Sequence, residues 1–147
     1  MVKYKKGDLM RAPEDIIAHG CNCRGVMGSG VAALVRNKYP KAYESYLEKY
    51  DDGGWSLGEV QFVPVVDGKV IANCATQYNY LPRGYCHADY KAIKFSMTLV
   101  KEYAQERGLS IAIPKIGAGL AGGDWNVIEK DLKEVFDDYD ITVYTLE

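Results

Sequence analysis

The stretch Ala18–Val35, AHGCNCRGVMGSGVAALV, concentrates residues that can do chemistry: one histidine, two cysteines, one asparagine and four glycines. A metal site, a thiol redox pair and an anion-binding loop all use such residues. Cys21 and Cys23 are one residue apart, which is too close for the C-x2-C spacing of zinc sites and does not form a C-x-x-C redox motif. We therefore predict neither a metal site nor a redox pair, and we interpret Cys21, Cys23 and Cys74 as buried packing residues.

The glycines of this stretch favour an anion-binding loop. Gly25, Gly28 and Gly30 allow positive φ angles and let a ligand approach the backbone closely. A helix that starts near Ser29 would leave its first amides unpaired, and such a helix terminus binds phosphate through these amides and its partial positive charge. The stretch matches neither the P-loop nor the dinucleotide-binding fingerprint.

A second glycine-rich stretch, GAGLAGG at 117–123, has the same composition. Asp124 is the predicted N-cap of the helix that follows it. Each glycine stretch is either a plain strand-to-helix connection or one rim of a ligand crevice. Two such loops at one edge of a sheet favour the crevice, because a plain connection rarely needs three or more glycines.

His19 stands at the end of an apolar run, beside the first glycine loop. Two interpretations are open for it. It is either a core histidine with its hydrogen bonds satisfied, or a general acid, base or nucleophile that faces a bound phosphate.

The elements that must position these residues follow from the hydropathy pattern. Short apolar runs with no polar face alternate with helical periodicity, which predicts an α/β fold. We expect three α/β/α layers around a mixed, mostly parallel sheet of about six strands, with both glycine loops at the carboxyl ends of strands, where such sheets bind ligands. Asp67-Gly68 predicts a hairpin turn. The predicted strands are VKYKK, DIIAHGC, GEVQFVPVV, KVIANCAT, SIAIPKI and ITVYTL, and the predicted helices run over 31–39, 41–50, 89–107 and 127–136.

Composition limits the function classes. The chain has 147 residues, of which 48% are apolar and 26% charged, with a net charge of −2, so we expect one domain over 1–147. No basic run indicates non-specific nucleic-acid binding, and no apolar run approaches the roughly 18 residues of a membrane span. The first residues lack the apolar core of a signal peptide. We expect a cytoplasmic monomer with reduced thiols.

The motifs GDLM, HGCNCRGVMGSGVA, IPKIGAGLAGGDW and ITVYTL together resemble the macrodomain family, an α/β module that binds ADP-ribose. The resemblance covers nearly the whole chain. It is strongest to a branch that holds the yeast-type ADP-ribose-1''-phosphate phosphatase and the terminal ADP-ribose protein glycohydrolase. It extends to macrodomain antitoxins that remove ADP-ribose from DNA.

The resemblance implies a set of ligand contacts. Asp8 would accept a hydrogen bond from the adenine amino group, the Leu9 backbone would lie along that ring, and Leu146 would line the adenine end. Asn22 would reach the distal ribose. The diphosphate would be wrapped by Met27, Gly28, Ser29, Gly30 and Val31, and the phosphates and distal ribose would be covered by Ile116, Gly117, Ala118, Gly119, Leu120, Ala121 and Gly122.

The branches of the family differ in their catalytic groups. Its hydrolases use a lysine after the middle strand and an aspartate in the second glycine loop, and Gln77 and Ala121 stand at those places here. The DNA-directed antitoxins also use a lysine. The phosphatase shares the run His-x-Cys-Asn-Cys-x-Gly, and its first-loop histidine falls on His19. It also has a histidine before the long helix, where this chain has His87.

The resemblance therefore favours a metal-independent phosphatase that converts ADP-ribose-1''-phosphate to ADP-ribose and phosphate. Loop amides would stabilise the transferring phosphoryl group, and His19 would protonate the leaving ribose oxygen or attack phosphorus. His87 or Asp89 would position water, unless they only begin the long helix. An ordinary histidine pKa of about 6.5 predicts a neutral-to-acidic optimum.

Two other functions stay open: a reader that binds ADP-ribose without turnover, and an ADP-ribosyl hydrolase that acts on modified macromolecules. We expect small ADP-ribose derivatives as ligands, no cofactor, and nucleic acid only as an ADP-ribosylated substrate. The tyrosine-rich segment Tyr78–Tyr85 is either a lid over the distal ribose or an irregular connection that packs its own aromatic rings.

Overall fold

A computed structural model describes residues 1–146, which form a six-stranded sheet and four α-helices. A short 3-10 helix, Leu9–Arg11, follows the first strand. The strands are β1 (Val2–Lys6), β2 (Ile16–Asn22), β3 (Val60–Pro64), β4 (Val70–Gln77), β5 (Ile111–Ile113) and β6 (Ile141–Thr145). The helices are α1 (Gly30–Lys38), α2 (Pro40–Asp51), α3 (Tyr90–Arg107) and α4 (Trp125–Val135).

The strand order is β1-β6-β5-β2-β4-β3. Every neighbouring pair is parallel except β3 and β4, which form an antiparallel hairpin. The hairpin turn contains Gly68, whose φ is +83°. The predicted mixed, mostly parallel sheet and the turn at Asp67-Gly68 are therefore confirmed.

The helices cover both faces of the sheet, which gives the three predicted layers. Ile16 and Ala18 of β2 belong to the apolar cluster that contains residues of α3 and α4. Ile17 packs in the cluster that contains Val35 of α1 and Ala42 of α2. Since successive side chains of a strand point to opposite faces, a strand between two helical layers is apolar at both faces.

The helix boundaries follow from side-chain capping and backbone geometry. Asp89 Oδ1 accepts from the Ala92 amide at 2.9 Å and caps α3, and Gly108 ends that helix with a φ of +66°. Asp124 Oδ1 accepts from the Asn126 amide at 2.9 Å, which confirms the predicted N-cap of α4. Pro40 opens α2, where its missing amide costs no hydrogen bond.

Within residues 1–146, no helix is both long enough and apolar enough to cross a membrane.

Candidate functional site

A cleft of about 580 Å³ lies at the carboxyl ends of β2, β4 and β5. This is the edge where α/β sheets bind ligands, because the loops that enter the helices diverge there. Three segments form its walls: the two glycine loops and the chain that follows β4. The lining residues are Gly20, Cys21, Asn22, Val26, Gly28, Ser29, Gly30, Val31, Ala32, Thr76, Gln77, Tyr80, Leu81, Arg83, Pro114, Lys115, Ile116, Gly117, Gly119, Leu120 and Ala121.

The first glycine loop is held from below by Tyr46 of α2, whose ring is completely buried. Its hydroxyl oxygen lies 2.7 Å from the backbone oxygen of Asn22 and 2.9 Å from Asn22 Oδ1. The same oxygen accepts from the amides of Gly25 at 3.1 Å and Val26 at 3.2 Å. One phenol therefore fixes the backbone of the loop at three points.

The Asn22 side chain also holds this loop. Its Oδ1 accepts from the Arg24 amide at 2.9 Å, and its Nδ2 donates to the Val26 carbonyl at 2.8 Å. A side-chain amide has two N–H donors. The second Nδ2 hydrogen is therefore available to a ligand, and its direction is set by the loop.

The N-terminus of α1 faces the cleft, since Ser29, Gly30, Val31 and Ala32 line it. Ser29 is the N-cap residue, and its side chain makes no capping hydrogen bond. Gly30, the first helical residue, has a φ of +60°. Gly25 is also at positive φ, whereas Gly28 is not. Helix amides that no side chain caps are good donors to an anion.

The second glycine loop forms the facing wall. It is tightly built: the Gly123 amide donates to the Gly117 carbonyl at 2.8 Å, and a Cβ at Gly117 would lie 2.6 Å from Ile93 Cδ1. Leu120 reaches across to the first loop, where its Cδ1 would lie 3.4 Å from a Cβ at Gly30. The structure thus brings the two glycine loops together around one cleft.

The third wall is the segment 78–87, which we call the strap. Its residues Tyr80, Leu81 and Arg83 line the cleft. The Ala121 carbonyl of the second glycine loop accepts from the His87 amide at 2.7 Å. The segment 78–85, predicted to be either a lid over the distal ribose or an irregular connection, is irregular and also lines the cleft. Its role as a lid stays a prediction.

The charge of the cleft differs from that of the whole chain. Among residues 1–146, no aspartate or glutamate lines the cleft, whereas Arg83 and Lys115 do. The chain as a whole carries a net charge of −2. The cleft therefore combines two cations with free backbone amides and favours an anionic ligand.

His19 lies in the core and does not line this cleft. The ring is completely buried, and its Nε2 is 2.7 Å from Asn73 Oδ1. An amide oxygen only accepts, so Nε2 carries the hydrogen. Burial lowers the pKa of His19 to about 4, so the ring is neutral at pH 7. The predicted neutral-to-acidic optimum assumed an ordinary histidine pKa of about 6.5. His19 does not have that pKa in this structure.

The other two predicted catalytic residues make local contacts near the cleft. A ring nitrogen of His87 is 2.7 Å from the Pro82 carbonyl and donates to it. Asp89 caps α3, as described above. Neither side chain lines the cleft among the described residues, so the roles predicted for His19, His87 and Asp89 stay predictions.

The predicted ligand contacts divide into two groups. At the expected adenine end, Asp8 Oδ1 accepts from the Met10 amide at 2.9 Å, and Leu146 is 84% exposed. The predicted residues outside the cleft lining are Asp8, Leu9, Met27, Ala118, Gly122 and Leu146. Those that line it are Asn22, Gly28, Ser29, Gly30, Val31, Ile116, Gly117, Gly119, Leu120 and Ala121.

The cysteines are unpaired thiols, and Cys21, Cys23 and Cys74 are buried, which confirms their interpretation as packing residues. Burial raises the pKa of Cys21, the thiol at the cleft floor. Its sulfur is therefore protonated near pH 7 and a poor nucleophile.

Comparison with known proteins places the chain in a family. A model of the Macro domain family matches residues 18–130. The chain belongs to the macrodomain family. This macrodomain is 29% identical to an ADP-ribose 1''-phosphate phosphatase of Candida albicans over 99% of this chain and 100% of that protein. It is 30% identical to a DNA ADP-ribosyl glycohydrolase of Mycobacterium tuberculosis, of which it spans 42%.

The fold of this macrodomain recurs in solved structures. A protein of unknown function from Bacteroides thetaiotaomicron superimposes with a TM-score of 0.88 at 30% identity, over 98% of this chain and 97% of that one. The resemblance to macrodomains and the predicted α/β architecture are therefore confirmed.

Proposed function

We propose that this macrodomain binds ADP-ribose derivatives and hydrolyses the terminal phosphate monoester of ADP-ribose-1''-phosphate. The observation that carries the proposal is the cleft itself. It has free amides at the start of α1 and two cations, and no carboxylate of residues 1–146 lines it. The match to the Candida albicans phosphatase along the full length of both proteins supports this substrate.

The charge of the cleft favours phosphoryl transfer over glycosidic cleavage. Glycosidic cleavage passes through an oxocarbenium-like transition state, which is positively charged and is stabilised by carboxylates. Gln77 and Ala121 line the cleft. The resemblance implies that the family's hydrolases carry a lysine and an aspartate at these two places. A transferring phosphoryl group is negatively charged, and amides and cations stabilise it.

In the proposed reaction, water attacks phosphorus and the bond between phosphorus and the ribose oxygen breaks. The proton that water loses ends on the departing ribose oxygen or in solvent. The amides of 28–31 and 117–121 hold the diphosphate and the phosphoryl oxygens, and Arg83 and Lys115 offset the charge of the phosphoryl group. Positioning and electrostatic stabilisation supply most of the catalysis for this class of reaction.

One observation favours a second function, a reader that binds ADP-ribose without turnover. His19 is buried and neutral, and the cleft lining within residues 1–146 contains no histidine or carboxylate to transfer a proton near neutral pH. A reader needs only the anion-binding walls, which the structure provides.

The deciding experiment measures phosphate release from ADP-ribose-1''-phosphate by the EDTA-treated protein, beside His19→Ala and His19→Gln. Because electrostatic positioning carries the proposed reaction, we expect turnover that survives chelation. Retained activity in a folded His19→Gln protein would assign the ring a structural role, and a loss with ADP-ribose binding intact would support the predicted catalytic role. No release by the native protein, with ADP-ribose bound, would leave the reader.

A further inference from the structure

The strap that carries Arg83 follows a strand that lies away from the edge of the sheet where the adenine site is predicted. That site was predicted around Asp8 and Leu146, which follow β1 and β6 at one edge of the sheet. The strap follows β4, which lies beyond β5 and β2 in the strand order. A ligand that starts at the β1 and β6 edge and crosses the glycine loops therefore extends towards the strap, from which Arg83 lines the cleft.

The Arg83 guanidinium has no counter-ion in the part of the chain that the structure describes. Within residues 1–146 it makes no ion pair, hydrogen bond or ring contact, although it lines the cleft. Arg24 nearby differs, since it donates to Asn79 Oδ1 at 3.2 Å and lies over the Tyr78 ring. All five N–H donors of Arg83 are therefore available to a ligand.

The strap that carries Arg83 is tied to the rest of the site at both ends. At its start, the Cys23 amide donates to the Tyr78 carbonyl at 3.0 Å. At its end, the Ala121 carbonyl accepts from the amides of His87 and Ala88, at 2.7 and 3.2 Å. The His87 ring bonds to the Pro82 carbonyl, next to Arg83. These ties fix the strap backbone on both sides of Arg83, which lines the cleft.

The close packing of the strap on the second glycine loop adds to this attachment. A Cβ at Gly122 would lie 3.0 Å from the Tyr85 backbone oxygen and 3.3 Å from Cys86 Cα. The chain approaches this closely only because the residue has no side chain, and its φ of +76° also favours glycine. The strap therefore packs directly against the second glycine loop.

We propose that Arg83 binds the terminal phosphate of the substrate and makes the cleft specific for phosphorylated ADP-ribose over ADP-ribose itself. A planar guanidinium forms two parallel hydrogen bonds to a phosphate, and such charge-assisted bonds are stronger than neutral ones. A phosphate monoester is largely dianionic at pH 7, since its second pKa is about 6. The inference rests on the proposed function, because it takes the substrate from it.

The test compares native protein, Arg83→Ala, Arg83→Lys and Lys91→Ala. Lys91 is exposed in the first turn of α3 and outside the cleft lining, so its variant loses one positive charge near the strap without touching the cleft. The Kd of ADP-ribose is measured by calorimetry. The KM and kcat for ADP-ribose-1''-phosphate are taken from initial rates of phosphate release, or its Kd by calorimetry if no phosphate is released.

In Arg83→Ala we expect the KM or Kd of the phosphorylated ligand to rise about 10- to 100-fold, the size typical for a lost hydrogen bond to a charged group. The Kd of ADP-ribose stays at the native value. Arg83→Lys restores part of the loss, because it keeps the charge without the two-pronged geometry. Lys91→Ala behaves as the native protein.

Two outcomes overturn the inference. An equal loss of affinity for both ligands would show that Arg83 binds the diphosphate that they share. Unchanged KM and Kd values for both ligands would show that Arg83 binds neither. If the proposed function is wrong, the native protein releases no phosphate. The ratio of the Kd values of the two ligands then still decides the role of Arg83.

Discussion

The His19 imidazole joins a polar chain that runs beneath the cleft. Its Nε2 donates to Asn73 Oδ1 at 2.7 Å, and Asn73 Nδ2 donates to the Ala42 carbonyl and to Gln61 Oε1, both at 3.1 Å. A buried polar group is costly unless its hydrogen bonds are made. The ring therefore ties β2 to β4 and, through Asn73, to α2, and it does so in the neutral form.

This burial predicts a pH dependence of stability. The pKa of His19 is lowered to about 4 in the folded protein and is about 6.5 in the unfolded chain, so between these values the unfolded chain binds more protons. The contribution of His19 is therefore fully present above pH 6.5, and it falls by about 3 kcal/mol as the pH drops from 6.5 to 4. Urea unfolding across this range measures the free energy.

His19→Gln provides the comparison for this prediction, because glutamine does not titrate and its amide can still donate to Asn73. The free energy of unfolding of the variant should lose less between pH 6.5 and pH 4 than that of the native protein. The same pH dependence in both proteins would contradict the lowered pKa. An NMR titration reports the same pKa directly, since the chain has only two histidines.

At the scale of elements, the first glycine loop depends on a helix that lies behind it. The Tyr46 hydroxyl of α2 is the common partner of Asn22, Gly25 and Val26. Met27 of the loop is buried, and side-chain hydrogen bonds to the loop backbone come from this phenol and the Asn22 amide. The geometry at the start of α1 is thus set by α2.

Tyr46→Phe should therefore loosen this loop. It removes the hydroxyl, which leaves the Gly25 amide without its partner and the Val26 amide with Asn22 Oδ1 at 3.4 Å as its acceptor. We expect this to cost about 1–3 kcal/mol of stability. ADP-ribose affinity should also fall, because the loop must be ordered when ligand binds. Urea unfolding and calorimetry measure the two effects.

Tyr43→Phe is the matched control on the same helix. Among the described residues the Tyr43 hydroxyl has no hydrogen-bond partner, and its ring lies under the Arg36 guanidinium at 4.1 Å. The control should keep both stability and affinity. Equal effects in the two variants would show that the Tyr46 hydroxyl is not what holds the loop.

The sequence predicts the elements of this fold well, because the physical signals are local. The central strands β2, β4 and β5 are buried at both faces and therefore mainly apolar, as in DIIAHGC, and Asp124 and Asp67-Gly68 are local boundary signals. The glycine loops were predictable as a pair, since parallel strands bring their carboxyl ends to one edge.

Two features of the site depend on contacts that the sequence does not display. The environment of His19 is set by α2, which follows it by more than twenty residues and delivers the Ala42 carbonyl that Asn73 bonds to. The strap takes its position from the Ala121 carbonyl, far along the chain. Neither contact leaves a periodic pattern, so the placement of His19 and Arg83 requires the structure.

At the scale of the whole molecule, the cleft holds a charge opposite to that of the protein. The chain has 20 acidic and 18 basic residues, yet the acidic residues described in the structure lie outside the cleft lining. Several bases elsewhere are offset by surface ion pairs, such as Lys94 with Glu134 at 2.7 Å and Lys3 with Asp140 at 3.0 Å. Arg83 has no ion-pair partner within residues 1–146, so an incoming anion meets a local positive field.

Ionic strength should therefore weaken ligand binding in proportion to ligand charge. The Debye length falls from about 30 Å at 0.01 M salt to about 10 Å at 0.1 M, which screens an exposed cation such as Arg83 more than the backbone amides within the cleft. We expect the KM or Kd of ADP-ribose-1''-phosphate to rise more steeply with sodium chloride than the Kd of ADP-ribose. Arg83→Ala should reduce the difference between the two slopes, whereas Lys91→Ala should leave it unchanged. Equal slopes in the native protein would show that amides rather than cations hold the terminal phosphate.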